Sequence, residues 1–364
     1  MKAIIKRQIK SYLKNPLFWV GILVVFIGVY QLLAPYLTIH YVEKNEKLPT
    51  EEGKPWDGDI MDGYVPSTPE KQRELWEKSI FNSLMTDFEM SEDEAALVIQ
   101  EMKSMEIDEA CQYLEDNYKY YGAEYVYEDF QYHAGSRKEI NKYIGESLKE
   151  HDFSYYFSRK FADYTGLYMG FFATIFLAFL FMQDMRKNTY ELLHTKPIKG
   201  WKYILGKTVS GFLLMLFVLI LLNVGFFVLC KIVSYQAGFS ANLLDFLKSS
   251  AFYILPNMVM ICSVYGLVSL LFRNPMPAVP MLILYMLYSN MLRIGENGSY
   301  MGRPLAIMVR FPGNFFDTTP PPLVLLNQTF LLIASVFLFC ITVYLWKRGG
   351  EYDETRFKNQ SSRV

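Results

Sequence analysis

The segment 199–208, KGWKYILGKT, is the first place where residue types and spacing approach those of a catalytic site. A phosphate-binding loop has the pattern G-x-x-x-x-G-K-[ST], because a glycine turn must present successive backbone N–H groups to the phosphates. Here five residues, not four, separate Gly200 from Gly206, and Trp201 stands where the first glycine belongs. A long hydrophobic run follows Thr208. The segment therefore predicts a basic and aromatic lead-in to a membrane span, and we expect no catalytic residue and no ATP site in this chain.

A second segment, DGDIMDG at 57–63, has carboxylates at spacings that approach those of a calcium loop. An EF-hand loop needs oxygen ligands at positions one, three and five, glycine at six and glutamate at twelve. Counting from Asp57, position five is Met61 and position twelve is Thr68. The pattern indicates a turn, and we expect no metal site.

The elements around these segments are membrane spans. Hydrophobic residues make up 52% of the 364 positions, which is typical of a polytopic membrane protein. A helix needs about 20 apolar residues to cross the hydrocarbon core. Windows of about that length or longer without Asp, Glu, Lys or Arg occur at 15–42, 164–183, 208–230, 249–272, 274–292 and 318–346. We therefore expect an all-α polytopic membrane protein with six transmembrane helices, the first at 17–37 and five more within 164–346. The window 274–292 is the weakest, because three prolines crowd its start.

Charge is strongly segregated along the chain. Residues 38–163 carry 29 acidic and 14 basic side chains, whereas the rest of the chain carries 8 acidic and 22 basic ones. Lys and Arg accumulate on the cytoplasmic side of membrane proteins. We therefore place residues 1–14, the loop 184–207, Arg273 and the tail 347–364 in the cytoplasm. Both termini are then inside, and the expected location is the cell membrane of a bacterium.

Residues 1–14 have the pattern of an amphipathic helix. Ile5, Ile9 and Leu13 recur every four residues on one side. Lys6, Lys10 and Lys14 recur on a neighbouring side, which gives an apolar face for lipid and a cationic face for anionic headgroups. The pattern favours a cytoplasmic interfacial helix; the alternative is a positive flank that only orients the first span.

Residues 43–160 are expected to form an acidic, mostly helical extracellular domain. Ser67 with Glu70, Ser91 with Glu94, and Ser136 with Glu139 match the capping box of helix starts. Leu97, Val98, Met102 and Met105 follow helical spacing. This domain either binds a cationic or amphipathic ligand or has a solvated acidic surface without a ligand.

Between their edges the spans lack acidic and basic side chains, so they offer no proton relay of the kind common in ion-coupled transporters. Their strongest polar groups, which we expect to hydrogen-bond between helices, are Asn223, Asn257, Asn290 and Asn327. Pro256 is expected to kink the fourth span. The loop 293–320 is expected either to form short helices at the outer interface or to be an ordinary loop. In the first case Phe311, Phe315 and Phe316 anchor it.

The cytoplasmic loop 184–207 has the pattern of a short projection. Residues 189–194 can form one short helix that ends before Pro197, because a proline disfavours helical geometry in the residue before it. Trp201, Tyr203 and Lys207 are then expected at the level of the lipid headgroups. A projection of this kind fits a groove on a partner protein; the alternative is a basic turn without a partner.

This loop resembles the coupling loop of type-2 ABC exporter permeases, whose pattern is approximately G-T-x-E-x-L-L-x-T-P-I-S followed by L-G-K. The corresponding residues here are Asn188-Thr189-Tyr190-Glu191-Leu192-Leu193-His194-Thr195-Lys196-Pro197-Ile198-Lys199 and Leu205-Gly206-Lys207. The chain departs from the pattern at Asn188, at the inserted Lys196 and at Lys199. Together with six spans, internal termini and an interfacial helix, the resemblance covers all of the chain except residues 43–160.

The resemblance implies a permease subunit that pairs with a second permease copy, identical or related, in contact with membrane lipids and without a nucleic-acid partner. Two cytoplasmic ABC ATPase subunits, which hold the ATP and Mg²⁺, grip the interfacial helix and the loop; this chain needs no cofactor. The loop residues expected at that contact are Thr189, Glu191, Leu192, His194, Pro197, Ile198 and Lys199. Related permeases export antimicrobial peptides, drugs, glycans or lipids, and some confer antimicrobial peptide resistance. The alternatives are a polytopic sensor with an extracellular ligand-binding domain, or a secondary transporter.

Overall fold

The structure is a computed structural model that describes residues 1–46, 58–185, 200–291, 293 and 300–361. The described part is mostly helical, with two short strands, which confirms an all-α polytopic fold. The chain divides into two compact units. The membrane unit consists of Met1–Leu37 and His151–Val364, and the inserted unit consists of Thr38–Glu150.

The helices are numbered in chain order along the described residues. In the membrane unit they are α1 (Lys2–Leu13), α2 (Pro16–Leu33), α8 (Phe153–Met185), α9 (Gly200–Ala237), α10 (Leu243–Tyr253), α11 (Leu255–Leu271), α12 (Ala278–Asn290) and α13 (Val324–Ser361). In the inserted unit they are α3 (Pro69–Thr86), α4 (Glu92–Met102), α5 (Ile107–Tyr118), α6 (Ala123–Asp129) and α7 (Arg137–Glu150), with strands β1 (Tyr64–Pro66) and β2 (Tyr132–Ala134).

Five helical segments of the described part are long and apolar enough to cross a membrane. They are Pro16–Thr38, Phe153–Gln183, Trp201–Ala237, Leu243–Leu271 and Val324–Trp346. The predicted fifth span instead contains α12, which has 13 residues. At 1.5 Å per residue it is about 20 Å long, shorter than the ~30 Å hydrocarbon core. The six expected spans are thus five full-length candidates and one short apolar helix, which starts late because prolines precede it.

The fourth span is interrupted between α10 and α11. Ile254, which caps both helices, has φ −112° and ψ −42°. Pro256 lies in the first turn of α11, where its missing N–H costs nothing. The sequence predicts a kink at this proline, and the structure has an interruption of the helix two residues before it.

Two glycines allow α2 to pack closely against α8. A Cβ atom on Gly28 would lie 2.2 Å from the ring of Tyr168, and one on Gly21 would lie 2.5 Å from the ring of Phe172. The glycines are seven residues apart, which is about two helical turns. They therefore lie on the same face of α2.

The inserted unit has its own core around Trp76. This residue is fully buried, and its Nε1 donates to the carbonyl oxygen of Ala123 at 2.8 Å. The core residues from α3, α4, α5 and the start of α6 are Trp76, Ile80, Leu84, Ala95, Val98, Met102, Ala110, Leu114 and Ala123. Antiparallel β1 and β2 pair with Val65 opposite His133. Because the unit ends at Glu150, residues 153–160 of the expected 43–160 domain belong to α8.

Two of the three predicted capping boxes are present. The side chains and backbone N–H groups of Ser91 and Glu94 bond reciprocally, and so do those of Ser136 and Glu139. The prediction at Ser67 is wrong, because Thr68 caps α3 instead. Pro69 begins that helix, so the cap shifts by one residue, and the Ser67 hydroxyl bonds to His133.

The described part of the segment 57–63 forms a turn. Asp59 Oδ1 accepts from the backbone N–H of Ile60 at 2.7 Å and caps a short 3₁₀ helix, Ile60–Asp62. Gly63 closes this turn with φ 79°, a left-handed conformation that glycine adopts without strain. Asp57 lies outside the described residues.

Candidate functional site: the two ends of the membrane unit

Helix α1 holds the residues that the sequence assigned to an interfacial face. The structure leaves the side chains of Lys6, Lys10 and Lys14 exposed, and it half-buries Ile5 and Ile9. Leu13 is also exposed. The lysines therefore remain accessible to a charged partner or surface.

A different face of α1 packs on the protein. Tyr12 is buried, with its ring 4.7 Å from that of Phe176 and its hydroxyl 3.2 Å from Nε2 of Gln183. At the other end of the helix, Ile4 lies beside Gly206, where an added Cβ would be 3.6 Å away. Helix α1 is thus held against both α8 and α9.

A small hydrophobic cluster, here called the base cluster, joins α1 to the rest of the unit. Its buried members are Tyr203 and Ile204 from the first turn of α9 and Trp346 from α13. The rings of Tyr203 and Trp346 have centroids 4.6 Å apart. Half-buried side chains around them come from α1, α11 and α13: Ile4, Leu270, Phe339 and Val343.

The predicted coupling residues fall between α8 and α9. Thr189, Glu191, Leu192, His194, Pro197, Ile198 and Lys199 all lie outside the described residues. The described chain stops at Met185 and resumes at Gly200, which begins α9. The base cluster follows within four residues of that start, so the predicted coupling segment leads directly into it.

The three residues expected at the level of the lipid headgroups differ in their exposure. Trp201 is exposed, but Tyr203 and Lys207 are buried. Lys207 places its Nζ 5.8 Å from the centroid of the Phe181 ring, within reach of a cation–π interaction. Tyr203 and Lys207 therefore pack against protein, because α9 turns these side chains toward α8, α11 and α13. Their position at the level of the headgroups stays a prediction.

Gly206, Lys207 and Thr208 are part of continuous α9. Backbone N–H groups inside a helix already donate to carbonyl oxygens one turn earlier. They are not available to bind phosphates, so the resemblance of this segment to a phosphate loop has no structural basis.

At the other end of α8, a buried carboxylate binds a distant loop. Asp163 is 3% exposed, and its Oδ1 accepts from Arg310 Nε at 2.5 Å. Its Oδ2 accepts from the backbone N–H of Phe311 at 3.0 Å. Arg310 also donates to the side-chain oxygen of Asn290 in α12. One carboxylate thus fixes both the side chain and the backbone of the loop.

Two cations one turn earlier on α8 bind the same loop. Arg159 donates to the carbonyl oxygens of Thr318, at 2.7 Å, and Thr319, and its guanidinium lies 4.9 Å from the centroid of the Phe311 ring. Lys160 donates to the carbonyl oxygens of Phe311, at 3.2 Å, and Gly313. Both side chains are buried. We call Arg159, Lys160, Asp163 and Arg310 the polar latch.

The loop held by the latch is not helical. Within 300–323 the described residues form turns and irregular backbone. Phe311, Phe315 and Phe316 are buried in the protein. The Phe315 ring stacks on Tyr36 with a centroid distance of 5.4 Å. Short interfacial helices anchored in lipid are therefore the wrong prediction for this part, because these aromatic side chains pack in the core.

The sequence pattern does not reveal the polar latch. It places Arg159 and Lys160 in the external domain and begins the second charge-free window directly after Asp163. The available signal was the spacing: positions 159, 160 and 163 share one helical face, next to an aromatic loop with Arg310.

The span asparagines bond to different partners. Asn223 of α9 accepts from Ser250 of α10 at 2.9 Å, as expected for a bond between helices. Asn257 donates to the carbonyl oxygen of Tyr253, and Asn327 donates to that of Arg303. Further polar contacts join α8 to α10: Ser154 with Asp245 at 2.5 Å, and Ser158 with Ser249 at 2.9 Å. The bonds of Ser154 and Ser158 lie at the same end of α8 as the polar latch.

Within the described ranges no group of three or more His, Cys, Asp or Glu side chains is close enough to hold a metal ion. The cysteines are free thiols. In the inserted unit, burial raises the pKa of Cys111 to about 11. This thiol therefore stays protonated at neutral pH.

The inserted unit has aromatic side chains on an acidic surface. Phe88, Tyr121 and Tyr125 are exposed, and the Phe88 ring stacks on Tyr120 with a centroid distance of 5.4 Å. Exposed acids such as Glu124 lie in the same segment. Aromatic faces beside carboxylates suit a cation.

Comparison with known protein families identified a match over most of the chain. A family model described as ABC-2 family transporter protein matches residues 2–303 of this chain. The matched range includes α1, the inserted unit, the predicted coupling segment and the latch end of α8. Searches of curated proteins and of solved structures found no match.

Proposed function

This chain belongs to the ABC-2 family of transporter proteins, and we propose that it is the permease subunit of an exporter driven by separate ATPase subunits. Membership of the family makes it a membrane component of an ABC transporter. The direction of transport, the ATPase partners and the pairing with a second permease copy are parts of the proposal.

The observation that carries the proposal is the base cluster. The predicted coupling segment, residues 189–199, ends just before Gly200, and Tyr203 and Ile204 are buried against Trp346 near the start of α9. Ile4 of α1 packs on the same residues. A force applied to the coupling segment therefore reaches α1, α9 and α13 together, because close-packed side chains transmit displacement.

Helix α8 connects the end of the membrane unit next to the coupling segment with the end that contains the polar latch. It has 33 residues without a break, which is roughly 50 Å at 1.5 Å per residue. Its last residue precedes the coupling segment, and its first three turns carry Arg159, Lys160 and Asp163 of the polar latch. We propose that ATP-driven movement of the coupling segment tilts α8 as a rigid body and thereby moves the loop at the latch.

In this account two ATPase subunits hold ATP and Mg²⁺, and hydrolysis takes place in them. Glu191, Ile198 and their neighbours contact these subunits, with Lys6 of α1 as a second contact. Support comes from the match of the loop to the permease pattern and from the exposure of Lys6.

We further propose that the inserted unit lies outside the cell and collects a cationic or amphipathic substrate. Residues 38–150 carry 27 acidic and 12 basic side chains, a formal charge of −15, and a surface of one sign attracts ligands of the other. The exposed side chains Phe88, Tyr121 and Tyr125 add apolar and cation-binding faces. A cationic peptide or a cationic amphiphilic drug has both properties.

The proposal is tested by purifying the tagged chain from its own host and identifying the subunits and small molecules that accompany it. We expect an ATPase at a stoichiometry of one per permease copy. A chain that purifies without an ATPase and catalyses ion-coupled uptake in vesicles would contradict the proposal. Deletion of 58–150 tests the substrate part: the set of exported compounds should change while the ATPase remains bound.

A further inference from the structure

A groove runs along the outside of the membrane unit between α2 and α8. Its volume is about 640 Å³, within the range of about 300–1,000 Å³ typical of small-molecule sites. It is open along one side and lies entirely within the membrane unit. Its residues come from the α1–α2 junction, from α2 and from the second half of α8: Tyr12, Asn15, Leu17, Phe18, Gly21, Val24, Val25, Tyr168, Phe171, Phe172, Ile175, Phe176, Phe179, Met182 and Gln183.

The floor of the groove is formed by packed aromatic rings. Phe18 is buried between α2 and α8, with its ring centroid 5.1 Å from that of Phe176. Phe172 stacks on Phe176 at 5.6 Å. Above this floor, Val24 and Phe179 are more than half exposed and form the open walls. The middle of the groove therefore accepts an apolar, flexible chain.

The end of the groove next to α1 is polar. Tyr12 and Gln183 contact each other there, at 3.2 Å, and Asn15 accepts from the backbone N–H of Leu17 at 3.0 Å. Lys14 and Lys10 are exposed on the adjoining α1. The first 14 residues carry five basic side chains and no acidic one. An anionic group is favoured at this end.

We propose that this groove binds one acyl chain of a resident anionic phospholipid, whose phosphate lies beside Lys14 and Lys10. The chemistry of the groove matches that of a phospholipid along its length. The apolar walls suit the acyl chain, the hydroxyl and amide groups lie where the acyl chain joins the headgroup, and the lysines suit the phosphate. A basic helix beside an apolar surface binds lipid through both properties. The inference requires that the chain resides in a membrane, and it is independent of what is exported.

Charge also argues against a second copy of this chain as the occupant. A symmetric dimer places the same patch of both copies together. Contact across this groove would bring two α1 helices, each with its five basic side chains, to the same end. Like charges at short distance repel, whereas a phosphate neutralises them.

Photolabelling of the full chain tests the site. The probe is a phosphatidylglycerol with a diazirine on its acyl chain, added to the wild-type protein in mixed micelles. Val24→Trp fills the groove, and Val20→Trp is the matched control, because Val20 is 54% exposed on the same helix and is not a groove residue. We expect label in 171–182, reduced roughly tenfold, or about 1.4 kcal/mol, by Val24→Trp and unchanged by Val20→Trp.

The headgroup is tested separately with Lys10→Gln/Lys14→Gln, which leaves the apolar groove intact. We expect phosphatidylglycerol labelling to fall to the level of a phosphatidylcholine probe in this variant. Three results would overturn the inference. The first is equal labelling of the wild type by the two probes, and the second is an equal effect of Val24→Trp and Val20→Trp on labelling. The third is a disulfide between two copies of the Val24→Cys variant. Ile175→Trp fills the groove from α8 and replaces Val24→Trp if that variant does not fold.

Discussion

The Nε atom of Arg310 lies 2.5 Å from Oδ1 of Asp163, although 147 residues separate them in the chain. The second carboxylate oxygen accepts from the backbone of Phe311. One buried acid thereby holds the end of α8 to the loop before α13. The same helix reaches the predicted coupling segment at its other end, so the two ends of the membrane unit share one rigid element.

Removing the cation of this pair is expected to destabilise the protein strongly. Arg310→Ala leaves Asp163, which is 3% exposed, without its ion partner. An unpaired buried charge costs roughly 3–5 kcal/mol. The measurement is the free energy of unfolding in detergent, taken from denaturant curves followed by tryptophan fluorescence.

Arg303→Ala is the matched control for this prediction. Arg303 lies in the same loop, and its Nε donates to the carbonyl oxygen of Met291 at 3.1 Å. Because this bond is exposed, its loss should cost only about 0.5–1.5 kcal/mol. Adding Asp163→Asn to Arg310→Ala should restore part of the stability. Equal stability of the two arginine variants would show that the latch does not hold the loop.

In the inserted unit, burial should decide the cost of two nearby substitutions in α4. Met102 is fully buried and Leu97 is 60% exposed. Met102→Ala is expected to cost about 2–5 kcal/mol, and Leu97→Ala should stay within about 0.5 kcal/mol of the wild type. Pulse proteolysis of the full chain, followed by detection of inserted-unit fragments, measures both. A larger loss for Leu97→Ala would mean that this surface is covered.

Two histidines of the inserted unit should respond to pH with opposite signs. Burial lowers the pKa of His133, although the nearby Glu139 opposes that effect. A hydrogen bond with the backbone of Thr38 raises the pKa of His40, and Glu46 adds to this. The stability that neutral His133 contributes is present above about pH 6.5 and is lost as pH falls through its folded pKa. The contribution of His40 is present below about pH 6.5 and is lost as pH rises through its raised pKa.

Hydrogen exchange of the inserted unit between pH 5 and 8 measures both contributions. We expect His133→Gln to reduce the loss of protection at acid pH. His40→Gln should remove protection at acid pH and change little at pH 8. The same acid response in wild type and His133→Gln would assign the acid sensitivity to other groups.

The contact between α1 and α9 depends on Gly206. An alanine Cβ there would meet Met1 and Ile4 at ordinary distances of 3.5 and 3.6 Å. Gly206→Ala should therefore be tolerated and should strengthen the helix by about 0.5–1 kcal/mol. Gly206→Trp has no room and should displace α1.

The readout for Gly206 is the rate of tryptic cleavage at Lys6 and Arg7 in the folded protein. We expect Gly206→Trp to increase this rate and Gly206→Ala to leave it at the wild-type value. If cleavage is equally fast in all three proteins, α1 is not held against α9.

Apolar runs and helix caps made most of the fold predictable. Five of the windows without charge correspond to long helices, because a run of that length has no other way to satisfy its backbone in lipid. The Ser91–Glu94 cap was predictable for a local reason, since both partners lie within four residues.

Contacts between distant segments were not predictable in this way. A charge was taken as the end of a span, so Asp163 and Lys160 were placed outside it, although their partners 150 residues later allow their burial. The aromatic side chain of Phe315 was expected at the lipid interface, because composition does not distinguish a lipid-facing ring from one packed on Tyr36. The length of α12 depends on the residue at which the helix begins, directly after Pro277. The hydropathy of a charge-free window does not indicate this starting residue.

The most direct measurement of the central claim is co-purification of the ATPase with two variants of the coupling segment, Glu191→Ala and Ile198→Asp. Lys103→Asp, an exposed position in the inserted unit, is the control. The account predicts that both coupling variants insert into the membrane and lose the ATPase or its stimulation, while the control retains both. Normal ATPase binding and normal transport in the two coupling variants would contradict it.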